Sequence, residues 1–484
     1  MPKFFLVPLL VMTALISGAS NQAFAQIEPQ QGESFDRAVQ GDAEAQYNRG
    51  MYYTMCKTKD YPEAAKWFRK SANQGFAEAQ HKLGVLYDGG KGLPQDYSEA
   101  AKWCRKAADQ GHAAAQSNLG ALYTEGKGVV LDSSEAAKWF RKAANQGNAG
   151  AQHNLATLYE TGEGVTQDYA EAVKLYRKAA EQGISDAQLN LGVCYYQGKN
   201  VPRDLTEAAK WFRKAANQGL APAQYCLGIS FAKGAGVRQD FTEAAKWYRG
   251  AASQGDAAAQ CNLGNLYAEG RGVASNADEA AKWYRKAANQ GFVNAQFNLG
   301  ILYDTGRGQD SAEAQKWYRK AADQNHAEAQ HKVGEFYTFG KGVPQDFAEA
   351  VRWFRKAANQ NVAEAQCNLG VLYDNGRGVP QNNAEALKWY RKAADQGHAE
   401  AQNSLGASYA LGEGVPQDNA EAVRWFRKAA NQNVAEAQYN LGAFYEQGEG
   451  VAQDYAEAMK WYRKAADQGL QEAKAALEEL KRNR

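Results

Sequence analysis

The stretch AEAQHKLGVLYDGGKGLPQDYSEAAKWCRKAADQG, residues 77–111, decides the fold. Ala79, Leu83, Leu86 and Tyr87 fall on one face at helical spacing and predict a first helix, A. Gly90 and Gly92 stop it, as glycines past a helix C-terminus do. Pro94 and Asp96 follow in a loop, and Asp96 with Glu99 three residues on is a capping-box pattern. A second helix, B, then carries Ala100, Ala101, Trp103, Cys104, Ala107 and Ala108, and Gly111 ends it. Its apolar stripe is wide enough to touch two neighbours.

The unit is copied along the chain. Its marker is the alanine before the glutamine: Ala45, Ala79, Ala115, Ala151, Ala187, Ala223, Ala259, Ala295, Ala329, Ala365, Ala401 and Ala437. The spacing is 36 residues, or 34 after Ala45 and Ala295, where the loop is shorter. Neither helix can bury its apolar face alone, so neighbours complete each other. The expected class is all-α, an α/α solenoid of twelve two-helix repeats over 43–472. Residues 26–42, with a lone helix B at Ser34–Gln40, and residues 473–484 are the expected capping helices.

The pattern A-x-A-Q-x-N-L-G-x-L-Y, then G-x-G-V-P-Q-D, then E-A-x-K-W-Y-R-K-A-A-x-Q-G resembles the Sel1-like repeat family, relatives of the tetratricopeptide repeat. The resemblance covers 34–481. It implies a right-handed superhelix with helix A on the concave side and a scaffold or adaptor role, common among exported bacterial proteins. Two departures stand out. Repeat one has Met55-Cys56-Lys57-Thr58-Lys59 in place of the glycine turn, and repeat four has Leu175 where the others have tryptophan. Cysteine-rich relatives, some described as β-lactamases or penicillin binders, carry a cysteine pair in each repeat, which this chain lacks.

The chain opens differently. Lys3 is the first charge and Glu28 the next, with an apolar run from Phe4 to Ile16 and Ala23-Phe24-Ala25 at the end. This is the layout of a secretory signal peptide cleaved after Ala25, and the run is too short for a membrane span. The expected location is periplasmic or secreted, with no transmembrane segment in the mature chain. With 56 basic and 54 acidic residues the net charge is +2, which argues against nucleic acid as partner.

Catalytic and metal-binding patterns are weak. The six histidines, His81, His112, His153, His326, His331 and His398, form no i,i+4 ligand pair. Ser230 and Lys233 match the S-x-x-K of penicillin-acylating serine enzymes, but no S-D-N or K-T-G accompanies them, and Ser230 stands where leucine recurs. The glycine turns follow helices, unlike a phosphate loop. The eleven tryptophans share one place in helix B and read as core. Six cysteines fall at different places of the unit, and a Cys226–Cys261 bridge is left open. We expect no catalytic residue, metal or cofactor.

One place varies freely: two residues after the marker alanine. With places six and nine it lies on one face of helix A. Tyr47, His81, His153, Tyr225, Phe297, His331 and Tyr439 are the candidate contacts there for a protein or peptide partner, or a cell-envelope component. Asp88, Glu125, Glu160, Glu269, Asp304, Asp374 and Glu446 edge that face with acid, and Lys91, Lys127, Arg271 and Arg307 are placed to neutralise it. The sequence therefore predicts an exported protein-binding scaffold that grips its partner on the concave helix-A surface. The alternatives are a penicillin-binding or β-lactamase-like enzyme and a binder of cell-wall glycan.

Overall fold

The computed structural model describes residues 31–56, 58–306 and 309–482. The expected leader 1–25 with its cleavage after Ala25, residues 26–30 of the expected cap, Lys57 and Arg307 lie outside the described residues. Among the described residues there are 26 α-helices and no strand. Helix Gln31–Val39 precedes twelve A/B pairs, and helix Gln471–Arg482 follows them. None of these helices is long and apolar enough to cross a membrane. The chain divides into two compact units, Met1–Gln254 with the helices of repeats one to six and Gly255–Arg484 with those of seven to twelve. Each unit is an α/α solenoid.

Every helix B begins at a side-chain cap. In repeat two, Asp96 accepts the N–H groups of Ser98 and Glu99 at 2.9 and 3.0 Å. Such a cap stabilises a helix by about 1 kcal/mol. The reciprocal arm of the expected capping box is not made. The Asp96 N–H donates to the Tyr87 carbonyl instead, closing the loop onto helix A. Glu99 accepts from Trp103 Nε1 at 3.0 Å and from Lys102 at 2.8 Å. The glutamate thus fixes the indole rather than the helix start.

The glycine turn does more than stop helix A. Gly126 ends it in the left-handed region at φ 66°. Gly128, at φ 67°, lies against the start of helix B in the preceding repeat, where a Cβ would stand 2.0 Å from the Tyr97 carbonyl oxygen. A Cβ at that distance would collide, so glycine suits the approach. In repeat five, whose turn reads Gly198-Lys199-Asn200, Asn200 takes the left-handed conformation at φ 51°.

The core repeats as the sequence does. Trp103 is buried with Ala64, Phe68 and Leu83, so the tryptophan of one helix B closes the core of the repeat before it. Trp211, Trp389 and Trp461 close theirs in the same way. Leu175 fills the tryptophan place in repeat four and is buried there too. The residue after each tryptophan, an aromatic except at Cys104, lies under the glycine five places after the marker alanine.

The glutamine after the marker alanine joins three successive helices. Gln366, 1 % exposed, donates Nε2 to the Ala358 carbonyl at the end of the preceding helix B (3.0 Å). Its Oε1 accepts from Gln396, which follows its own helix B (2.7 Å). Gln80 repeats the pattern with Ala72 and Gln110, and Gln152 with Ala144 and Gln182.

A Cβ added at Gly370 would lie 2.6 Å from Cδ1 and Cε1 of Tyr390. Overpacking of this kind costs about 1–3 kcal/mol. Alanine recovers at most about 1 kcal/mol of helix propensity over glycine. Gly370→Ala therefore lowers the urea midpoint, and an equal or higher midpoint would contradict this packing.

Candidate functional site

The face of helix A carries the second, third and sixth places after the marker alanine. The second place is not free surface. Its side chain wedges between helix A and the aromatic residue of helix B in the same repeat. Tyr47 packs on Phe68 with ring centroids 5.8 Å apart, His153 on Tyr176 at 5.7 Å, and Tyr225 on Tyr248 at 6.0 Å. In the second unit Phe297 packs on Tyr318 at 5.6 Å, His331 on Phe354 at 5.5 Å, and Tyr439 on Tyr462 at 5.6 Å. His81, whose repeat has Cys104 at the aromatic place, packs instead on His112 of the next repeat at 4.7 Å. Six of the seven candidates are half-buried, and His331 is buried.

Beside them runs an amide ladder. Nδ2 of Asn118 lies 3.1 Å from Nε2 of His81, and the same contact joins Asn190 to His153 at 3.4 Å and Asn368 to His331 at 3.1 Å. Asn440 donates to Asn403, and Asn298 to Asn265. The asparagine three places after the marker recurs in eight of the twelve repeats, with Lys82, Cys226, Lys332 and Ser404 in the others. Its contact lies 37 residues back, so its role emerges only once neighbouring repeats are placed side by side. Each such asparagine carries two donors and two acceptor lone pairs, more than one ladder contact uses. Outside the ladder, the sixth place exposes aliphatic surface at Val85, Ile301 and Val371.

Part of the acidic edge is paired. Glu160 and Glu446 accept the hydroxyls of Tyr176 and Tyr462 at 2.8 and 2.7 Å. Lys127 pairs with Glu125 at 2.5 Å and Arg271 with Glu269 at 3.0 Å. Burial holds the Asp88 carboxyl above its ordinary range. The face is thus aromatic, amide and aliphatic in character rather than strongly charged. Ser230 is 1 % exposed and donates to the Cys226 carbonyl at 3.0 Å, which keeps its hydroxyl away from any substrate.

The six histidines border this face as hydrogen-bond or ring partners. His112, His326 and His398 cap helix A by accepting the N–H groups of Ala115, Ala329 and Ala401 through Nδ1. Burial, with His112 and Lys82 nearby, pushes the His81 imidazole down to about 3. Burial also lowers His112, His153, His326 and His331.

A family model described as the Sel1 repeat matches the chain in twelve successive segments, from 43–76 and 77–112 without a gap to 435–470. Among solved structures, a protective antigen present in uropathogenic Escherichia coli strains, displaying an SLR fold, is 37 % identical. That match covers 93 % of this chain and 97 % of the antigen, with a TM-score of 0.81. A Sel1 repeat protein from Oxalobacter formigenes is 32 % identical over 67 % of this chain and 93 % of its own, with a TM-score of 0.52. Among curated proteins none matches.

The depressed imidazoles set a pH dependence. An unfolded histidine titrates near pH 6.5. The unfolded chain therefore binds protons that the folded chain does not, and stability is full above about pH 6.5 and falls below it. For His81 the loss reaches about 2 kcal/mol at pH 5, at roughly 1.4 kcal/mol per pH unit. Urea midpoints at pH 7.5 and 5.0 check this against His81→Asn, which keeps the ladder as Asn403 does in repeat eleven. The variant should lose less on acidification, and an equal loss would refute the assignment.

Proposed function

The chain belongs to the Sel1 repeat family, and on that premise we propose that it is an exported scaffold whose helix-A face grips a protein or peptide partner. Sel1 repeats are tetratricopeptide-like scaffolds typical of interaction proteins and are generally non-enzymatic. The observation that carries the reading is the ladder of asparagines beside half-buried rings and exposed aliphatics. An extended partner needs hydrogen-bonding groups for its backbone and apolar recesses for its side chains. This face offers the amides in eight of the twelve helices A and exposed aliphatic contacts at Val85, Ile301 and Val371. Tyr47, His81, His153, Tyr225, Phe297, His331 and Tyr439 would wall the recesses, and Val85, Ile301 and Val371 would make the outer contact.

Export rests on Lys3, the apolar run Phe4–Ile16 and Ala23-Phe24-Ala25. That the 37 %-identical relative is a protective antigen agrees with a protein that reaches the envelope or beyond. Mass spectrometry of the protein from a periplasmic or culture fraction should find Gln26 as the first residue. A chain found there that still begins at Met1 would contradict export by cleavage.

Replacing Tyr225 or Phe297 would also disturb packing against Tyr248 or Tyr318, so the cleaner test uses exposed positions. Ile301 and Val371 are 36 % and 39 % exposed, and surface changes of this kind shift stability by only about 0.5 kcal/mol. Ile301→Glu with Val371→Glu should weaken capture of partners from an envelope extract by about tenfold or more. Lys388→Glu, on helix B, should leave capture unchanged. Equal capture by all three proteins, with unchanged melting temperatures, would sink the helix-A reading.

A further inference from the structure

We propose that the cleft between helices B of repeats eight (Ser311–Asp323) and nine (Phe347–Asn359) binds a phosphomonoester dianion. The site lies on helix-B surface and is independent of the helix-A reading.

The cleft exists because a recurring clip is missing. Along the described helices the arginine two residues after the tryptophan place repeatedly donates Nη2 to a tyrosine of helix A in the next repeat. Arg141 reaches Tyr159 at 2.9 Å, Arg177 reaches Tyr195 at 2.6 Å and Arg427 reaches Tyr445 at 2.8 Å; Arg69, Arg105, Arg285, Arg355 and Arg391 make the same bond. Arg319 does not. Its Nε donates to Asp323 at 3.1 Å, and its Cζ lies 4.6 Å from the ring centroid of Trp353 in the next helix B. A cavity of about 430 Å³ opens there. In the first unit the clip is also absent at Arg213, beside a recess at a different place, against helix A and the loop after it. Phe231 replaces the tyrosine, Arg213 rests over its ring at 5.5 Å, and a cavity of about 600 Å³ opens beside Arg213 and Arg238.

The lining of the first cleft selects its ligand. Arg319, Arg352, Arg355 and Lys356 meet two carboxylates: Asp323, which engages Arg319 at 3.1 Å, and Glu349, which Arg352 engages at 2.6 Å. Lys356 lies 3.8 Å from the centroid of Trp353, so two cations share one buried indole. The hydroxyl of Tyr373 holds Arg355 in place. No carboxylate lies within ion-pair distance of Arg355 or Lys356 among the described residues. Guanidinium groups pair best with planar or tetrahedral oxyanions through two parallel N–H bonds. A carboxylate or sulfate monoester brings one charge to this cluster. A phosphomonoester brings close to two, with three acceptor oxygens to divide among the arginines and the lysine.

Phenyl phosphate and phenyl sulfate test the charge requirement on the full chain, by calorimetry at pH 8 and low salt. Phenyl phosphate should bind about tenfold or more tightly than phenyl sulfate. Arg319→Ala with Arg352→Ala should reduce that binding by a similar factor of about ten, at side chains exposed enough to spare the fold. Arg424→Ala, the matching place in repeat eleven, should bind as the wild type does. No binding by the wild type, equal binding of the two probes, or unchanged binding by the double variant would overturn the site. A phosphoserine peptide and glucose 6-phosphate then separate the sources. Either one matching or exceeding phenyl phosphate supports the site and names the source, and failure of both overturns it.

Discussion

The interaction on which the rest of this structure depends is the buried glutamine of helix A. It donates to the last carbonyls of the helix before it and accepts from the glutamine that follows the helix after it, as Gln330 does with Ala322 and Gln360. A buried amide left without these partners would cost about 1–3 kcal/mol. Hydrophobic contact alone would allow neighbouring helices to slide, because burial is non-directional. The amide relay fixes their register, and it is renewed once in every repeat.

That register dictates what else can occupy the unit. With helix B held close under helix A, the place five residues after the marker must be small, and glycine or Ala156 fills it. The ring beneath it leaves one recess, which the residue at the second place enters. Variation there is therefore variation in how a recess is filled: by tyrosine, phenylalanine, imidazole or thiol, and by Ser117, Leu189 and Asn403. The same register brings Asn118, Asn190 and Asn368 to the second-place histidine of the repeat before, and Asn440 to Asn403. A face useful for binding thus emerges from a constraint on stacking, and the identity of the ring at each step is what differs along it.

Much of this was legible in the sequence. Period, helix pairing, the aspartate caps and the buried tryptophan all follow from local spacing, and a 36-residue self-match leaves little choice of fold. Three features were not legible. Glu99 looked like half of a capping box because its spacing fits one. Its indole partner Trp103 is four residues on, a contact that depends on side-chain direction. Gly128 looked like a helix stop, yet its second constraint comes from Tyr97, 31 residues back and across a repeat boundary. The second-place residues looked unconstrained because they vary, whereas variation at a half-buried place reports alternative packing. In each case the missing information was a contact between elements that sequence distance hides.

The relay can be tested by native-state hydrogen exchange on Gln366→Leu, which keeps the volume and removes the amide. The account predicts lost protection in the three helices that Gln366 joins, Phe347–Asn359, Ala363–Asp374 and Asn383–Asp395, with helices of repeats seven and twelve unchanged. Unchanged protection throughout, or an equal loss in every repeat, would contradict the claim that this amide sets the register of its neighbours.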